Sequence, residues 1–139
     1  MAVKQEIVSG AAEGPVDGSE ISNDKRVQVT DCTGYVRVTL PPGRVITGPM
    51  AAAAAAEFNP LAQTGPRPLL LDVTGVEAIT RGARSVFAAA RSVSSVAVLG
   101  TSQVDRVIAN FLLGGDLPAC PARYFSSAAQ ALDWLKGRA

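Results

Sequence analysis

Two short apolar runs flank an amphipathic segment in the middle of the chain, and this arrangement restricts the fold more than any other feature. Residues 69–73 and 96–99 are almost continuously apolar, which is typical of strands that are covered on both faces. Between them, apolar residues recur at helical spacing and predict a helix over residues 80–92. We therefore expect a βαβ unit with two parallel strands.

The segment before this unit predicts a β-hairpin and a first helix. Apolar and polar residues alternate over residues 27–29 and again over residues 35–40, with turn-forming residues between them. Thr47 stands at the position of an N-cap, and Pro49 falls in the first turn ahead of the alanine run at residues 51–56. The chain is therefore predicted to begin its folded part with two antiparallel strands and a helix.

The last third of the chain predicts two more helices and one strand. Ser102 and Asp105 have the spacing of a capping box. The helix that they open is predicted to face the sheet with an apolar stripe formed by Val104, Val107, Ile108, Phe111 and Leu112. A strand over residues 122–125 and a helix capped by Ser127 follow. The predicted fold is α/β, of order ββαβαβαβα: a single mixed β-sheet with a parallel βαβ core and helices packed on it.

The domain organisation follows from length and from a change in composition. A chain of 139 residues can form one core of ordinary size. Residues 1–25 are rich in small and acidic residues and predict a flexible N-terminal arm, so the domain is expected to span residues 26–139. Within the arm, residues 3–8 have the composition of a strand that would cover an exposed sheet edge. We therefore expect a homodimer, with the arm reaching its own sheet or that of a second copy.

Charge and hydropathy exclude several classes of protein. The net charge is +1, with 13 basic residues scattered among 12 acidic ones, so the basic surface of a nucleic-acid-binding protein is missing. No apolar run approaches the roughly 20 residues of a transmembrane helix, and the N-terminus lacks a signal-peptide pattern. We expect a cytoplasmic protein with neither a transmembrane segment nor a nucleic-acid partner.

The side chains needed for common catalysis are also scarce. The chain contains no histidine, which removes the usual general base and the Ser/His and Cys/His dyads. Cys32 and Cys120 do not form a CxxC pair, so neither a metal site nor a cofactor is expected. We predict that the protein is not an enzyme and has no catalytic residues.

Three features of the sequence resemble the STAS-like proteins. They are the element order, the segment LLDVTGV at residues 70–76, and the ending at residues 124–135. The resemblance is to the SpoIIAA-like relatives of anti-sigma factor antagonists, and especially to uncharacterised bacterial STAS-like proteins with a stretch similar to SQVDRVIANFLL at residues 102–113. It runs from about Val27 to the C-terminus and implies a bacterial regulatory module, although phosphoswitches, transporter tails and lipid-carrier relatives share this fold.

The mechanism associated with this resemblance depends on one serine. In anti-sigma factor antagonists, a serine at a helix N-terminus accepts phosphate from a partner kinase. Matching residues 72–76 to the family pattern places Thr80 at the family's aspartate and Arg81 at the phosphoacceptor serine. A guanidinium cannot accept phosphate, and an N-cap role explains Thr80 better. The resemblance therefore implies a module without the usual phosphoacceptor.

Two groups of residues are candidates for a partner or anion site. Thr80, Arg81 and Arg84 lie at a predicted helix start, where free backbone N–H groups favour an anion. Solvation, or pairing with Glu77, explains the two arginines as well. The second group follows the strand at residues 96–99, where ligands of open α/β sheets commonly bind. It consists of Thr101, Ser102, Asp105, Arg106 and Asn110. Helix capping and a solvated helix face also explain the second group.

Three classes of function remain. The first is a non-catalytic protein-interaction or regulatory module whose partner is another protein or a second copy. The alternative is a carrier of a small apolar or amphipathic ligand, because the alanine-rich first helix leaves room between helix and sheet, and a cavity lined by that helix would favour it. The third is an enzyme of unknown type whose chemistry does not depend on histidine.

Overall fold

The computed structural model describes residues 26–114 and 120–137; the predicted N-terminal arm lies outside these ranges. The strands are β1 (Gln28–Cys32), β2 (Tyr35–Thr39), β3 (Val45–Ile46), β4 (Arg67–Asp72), β5 (Ala78–Ile79), β6 (Val93–Leu99) and β7 (Ala122–Phe125). The helices are α1 (Gly48–Phe58), α2 (Arg81–Ala88), α3 (Gln103–Leu113) and α4 (Ala128–Lys136). Among the described residues, no helix is long and apolar enough to cross a membrane.

The main sheet has five strands in the order β1-β2-β4-β6-β7. β1 pairs with β2 in the antiparallel sense, and each of the other neighbouring pairs is parallel. The central strands β4 and β6 are buried along almost their whole length, as their continuous apolar runs predict. The α/β fold with a single mixed main sheet and a parallel βαβ core is confirmed.

The apolar core lies on both faces of this sheet. On one face, α1, α2 and α3 pack over side chains such as Val38, Leu71 and Val98. On the other face, α4 places Ala131 and Leu135 against the sheet. Because side chains alternate along a strand, neighbouring residues of β4 serve opposite layers.

A second, two-stranded sheet was not predicted. β3 and β5 pair in parallel, with Val45 opposite Ala78 and Ile46 opposite Ile79. Each strand has only two residues, which is too short for a period of alternation to be recognised. This small sheet precedes α1 and α2 directly and therefore brings the starts of the two helices together.

The helix predicted over residues 80–92 is shorter in the structure. It spans Arg81–Ala88, and the following strand begins at Val93, three residues earlier than its continuous apolar run. A turn joins the two, in which the N–H of Ala90 donates to the carbonyl of Phe87 at 3.2 Å. The chain from Ala89 to Ser92 is therefore a loop at the amino end of β6.

The apolar stripe predicted for α3 is wrong in part. The buried positions are Asp105, Ile108, Ala109 and Leu112, which share one face by their three- and four-residue spacing. Val104 and Val107, predicted to face the sheet, are 59% and 67% exposed. The helix is rotated because Asp105, and not a valine, points inward to meet backbone N–H groups.

Candidate functional site

The second group of predicted site residues lies at the carboxyl end of β6, where it forms a hydrogen-bonded cluster. The Asp105 carboxylate, 1% exposed, accepts from the backbone N–H groups of Thr101 at 2.8 Å, Ser102 at 3.1 Å and Gly75 at 3.0 Å. The Ser102 hydroxyl in turn accepts from the N–H of Asp105 at 3.0 Å. The predicted capping box is present, and its carboxylate also reaches the loop after β4.

The charge state of Asp105 follows from these contacts. Burial by itself raises the pKa of the Asp105 carboxyl, but the hydrogen bonds from Thr101, Gly75 and Ser102 outweigh burial and hold the pKa below its usual value. The group is therefore an anion at neutral pH. It occupies the N–H groups of Thr101 and Ser102, directly before α3, as a bound anion would.

Gly100 begins the loop that carries this cluster, and the structure gives it a steric role. A Cβ atom at position 100 would lie 2.5 Å from the Cβ of Asp105 and 3.0 Å from the Tyr124 hydroxyl. Only glycine fits there, because real Cβ atoms do not come so close to other heavy atoms. A glycine directly after a buried strand was the available signal.

The remaining members of the second group point outward. Arg106 is exposed, and its guanidinium lies over the Tyr124 ring at 5.2 Å from the centroid. Asn110 is exposed on the same helix. Thr101, Ser102 and Asp105 are thus joined by hydrogen bonds in a structural cluster in which only Asp105 is buried. Arg106 and Asn110 belong to the solvent-facing side of α3.

The residues of the first predicted group have different structural roles. The Thr80 hydroxyl accepts from the N–H of Ala83 at 3.1 Å and caps α2. Arg81 is exposed at the first position of α2. Arg84 donates to the carbonyl of Gly114 and lies 4.8 Å from the centroid of the Phe111 ring. Arg84 therefore ties α2 to the end of α3, and the two arginines do not converge on one point.

A cavity of about 250 Å³ lies between α1, α2 and the sheet. Its walls are mainly small and apolar: they come from α1, from α2 and its following loop, and from three strand residues. The lining residues are Val38, Ala51, Ala54, Ala55, Phe58, Asn59, Leu69, Val86, Phe87, Ala89, Ala90, Arg91, Ser92 and Val93. Of these, Asn59, Ala89 and Arg91 are exposed and mark the opening. The alanine run of α1 thus leaves the space that its small side chains predict.

The two helices that flank the cavity come together at their starts. Gly48 and Gly82 face each other, so that a Cβ atom on Gly82 would lie 3.6 Å from the Cα of Gly48. Their N-caps, Thr47 and Thr80, each accept a hydrogen bond from their own helix. Because the helix starts touch while the helix ends border the opening, the space widens towards the amino ends of β4 and β6.

A smaller cavity of about 40 Å³ adjoins the first on the α3 side. Leu69, Phe87, Ala90 and Val93 line both spaces. Phe87 is the largest of these shared side chains.

Comparison with solved structures identifies the fold as SpoIIAA-like. A DUF3478-family protein with a SpoIIAA-like fold from Shewanella loihica PV-4 is similar to this chain, with 16% sequence identity and a TM-score of 0.54. The match covers 78% of this chain and 91% of that protein. The resemblance to STAS-like, SpoIIAA-like proteins is therefore confirmed at the level of fold.

The family follows from the sequence. Residues 32–138 match the family model described as a domain of unknown function, DUF7793, and the chain belongs to this family. A protein with unknown function from Arthrobacter sp. FB24 is 39% identical over 78% of this chain and 98% of that chain, with a TM-score of 0.31. No curated protein matches the sequence.

Proposed function

We propose that this protein is a non-catalytic binding module that holds a small apolar or amphipathic molecule between α1 and α2. The observation that carries the proposal is the 250 Å³ cavity lined by the alanine-rich face of α1. Ligand sites are typically concave and mostly apolar, with few polar groups. The lack of histidine in the chain supports binding rather than catalysis.

The size of the cavity restricts the ligand. An apolar cavity of about 150 Å³ binds benzene, so a cavity of about 250 Å³ has room for roughly ten non-hydrogen atoms. A single ring with a short substituent or a medium-length alkyl chain has this size. A larger molecule would extend beyond the cavity through its opening.

A protein-interaction module is the second candidate function. Val104 and Val107 expose apolar side chains one turn apart on α3, and such exposed apolar residues occur at contact surfaces. This candidate agrees with the regulatory role that the STAS-like resemblance implies. The homodimer and the cytoplasmic location also stay predictions.

Native mass spectrometry of the full chain mixed with excess octanol tests the proposed function. We expect a one-to-one complex with the unaltered chain. Ala55 lines the cavity, so Ala55→Leu should fill it and abolish the complex. Ala56 is exposed and lies outside the lining, so Ala56→Leu should leave the complex intact. If the unaltered chain binds neither octanol nor its carboxylate and amine analogues of equal length, the proposed function is wrong.

A further inference from the structure

The cavity has an uneven distribution of charge. Of the described residues that line it, Arg91 alone is charged, and Asn59 and Ser92 are the uncharged polar ones. The other lining side chains are apolar. A ligand that matches these walls has an apolar body and a single polar end.

The position of Arg91 defines where that polar end would lie. Arg91 is exposed, as is Asn59, so both stand at the opening and not in the apolar interior. Within the described residues, no ion pair joins Arg91 to a carboxylate. A guanidinium offers several N–H donors in a fixed plane and suits a carboxylate or a phosphate better than a neutral group.

The loop that carries Arg91 is held in place by backbone hydrogen bonds. The carbonyl of Ser92 accepts from the N–H of Arg67 at 2.8 Å, and the N–H of Ala90 donates to the carbonyl of Phe87 at 3.2 Å. Residues on both sides of Arg91 are therefore fixed to β4 and to the end of α2. Such a loop offers the arginine at the opening with little rearrangement of the backbone.

We infer that the ligand is a small amphipathic anion whose apolar body fills the cavity and whose carboxylate or similar headgroup binds Arg91 at the opening. This inference rests on the proposed function and adds the ligand's charge. A medium-chain carboxylate is the simplest molecule of this class. A neutral alcohol of equal length lacks the headgroup contact, and an amine of equal length places a positive charge beside Arg91.

Calorimetric titration of the full chain with octanoate, octanol and octylamine, at low salt and neutral pH, tests the inference. We expect octanoate to bind about fivefold more tightly than octanol, the upper range for a solvent-exposed ion pair, and octylamine to bind most weakly. Added salt should reduce the preference for octanoate, because it screens exposed charges.

Three variants test whether the preference for octanoate depends on the charge of Arg91. Arg91→Gln should bind octanoate and octanol equally, and Arg91→Lys should keep most of the preference for octanoate. Arg81→Gln removes an exposed arginine that lies outside the cavity lining, so it should behave like the unaltered chain.

The inference and the proposed function fail in different ways. If octanol and octanoate bind equally to the unaltered chain, the anion inference is wrong and the cavity proposal stands. If Arg91→Gln lowers the melting temperature but keeps the preference for octanoate, Arg91 serves the end of α2 and the inference is wrong. If none of the three molecules binds, the proposed function is wrong, and the inference is wrong with it.

Discussion

The Asp105 carboxylate accepts a hydrogen bond from the backbone N–H of Gly75, 3.0 Å away and thirty residues earlier in the chain. Gly75 belongs to the loop after β4, whereas Asp105 lies in the first turn of α3, after β6. The contact therefore joins the two loops at the carboxyl end of the central strands. Because the same carboxylate also accepts from Thr101 and Ser102, this end of the sheet is closed by an internal anion.

Replacing Asp105 should destabilise the fold. Asp105→Asn keeps the size of the side chain but turns an amide NH₂ towards a backbone N–H that needs an acceptor, so we expect a loss of about 1 to 3 kcal/mol in the free energy of unfolding. Urea denaturation measures this loss. Asp133→Asn, an exposed change on α4, should stay within about 0.5 kcal/mol. Equal stability of the two variants would show that the cluster is not stabilising.

The effect of Asp105 should depend on pH. Its folded-state pKa is lowered, whereas the unfolded value is about 3.9. The carboxylate therefore stabilises the fold above the unfolded pKa, and this contribution is lost as pH falls through the lower, folded pKa. The stability gap between the unaltered chain and Asp105→Asn should be largest near about pH 7 and shrink towards about pH 3. A stability difference that stays constant over this pH range would contradict the lowered pKa of Asp105.

The orientation of α3 can be tested with two neighbouring residues. Ile108 is buried, and Val107 is 67% exposed. Ile108→Ala should cost about 2 to 5 kcal/mol, whereas Val107→Ala should change stability by no more than about 0.5 kcal/mol. Thermal and urea unfolding of both variants measure the difference. The reverse order would mean that Val107, and not Ile108, packs on the sheet.

Thr80 should act as a helix cap. Thr80→Ala removes the acceptor for the N–H of Ala83 and should cost about 1 kcal/mol, while Thr80→Ser keeps a hydroxyl and should be close to the unaltered chain. We also expect no regulatory phosphate at the start of α2, because the resemblance to STAS-like proteins implies that Arg81 takes the place of the phosphoacceptor serine. Stoichiometric phosphate on Thr80, detected by intact-mass and peptide mass spectrometry, would mean that helix capping is not the main role of Thr80.

Local sequence signals predicted much of the fold because each depends on nearby residues. The apolar runs of β4 and β6 and the Ser102–Asp105 spacing are of this kind, and all three are present in the structure. The contact between Asp105 and Gly75 was not predictable, since it depends on the register of the parallel pair, which sets Asp72 opposite Leu99. The outward position of Val107 follows from the same contact.

The candidate site was predictable only in outline. The alanine run of α1 indicates room beside the helix, but the volume depends on how α1 and α2 separate after their close contact at Gly48 and Gly82. No sequence pattern marked Arg91 as a site residue, because it falls inside the helix predicted over residues 80–92. In the structure this helix ends at Ala88. Its place at the opening is a consequence of the loop before β6.

The central claim is that the space between α1 and α2 is the ligand site, and methyl NMR of the alanine- and valine-labelled full chain tests it most directly. On titration with octanoate, we predict saturable shifts of the Ala54 and Ala55 methyl signals, which line the cavity, while the Val104 and Val107 signals on α3 stay unchanged. Shifts confined to Val104 and Val107, with Ala54 and Ala55 unaffected, would contradict the claim and place binding on the exposed face of α3.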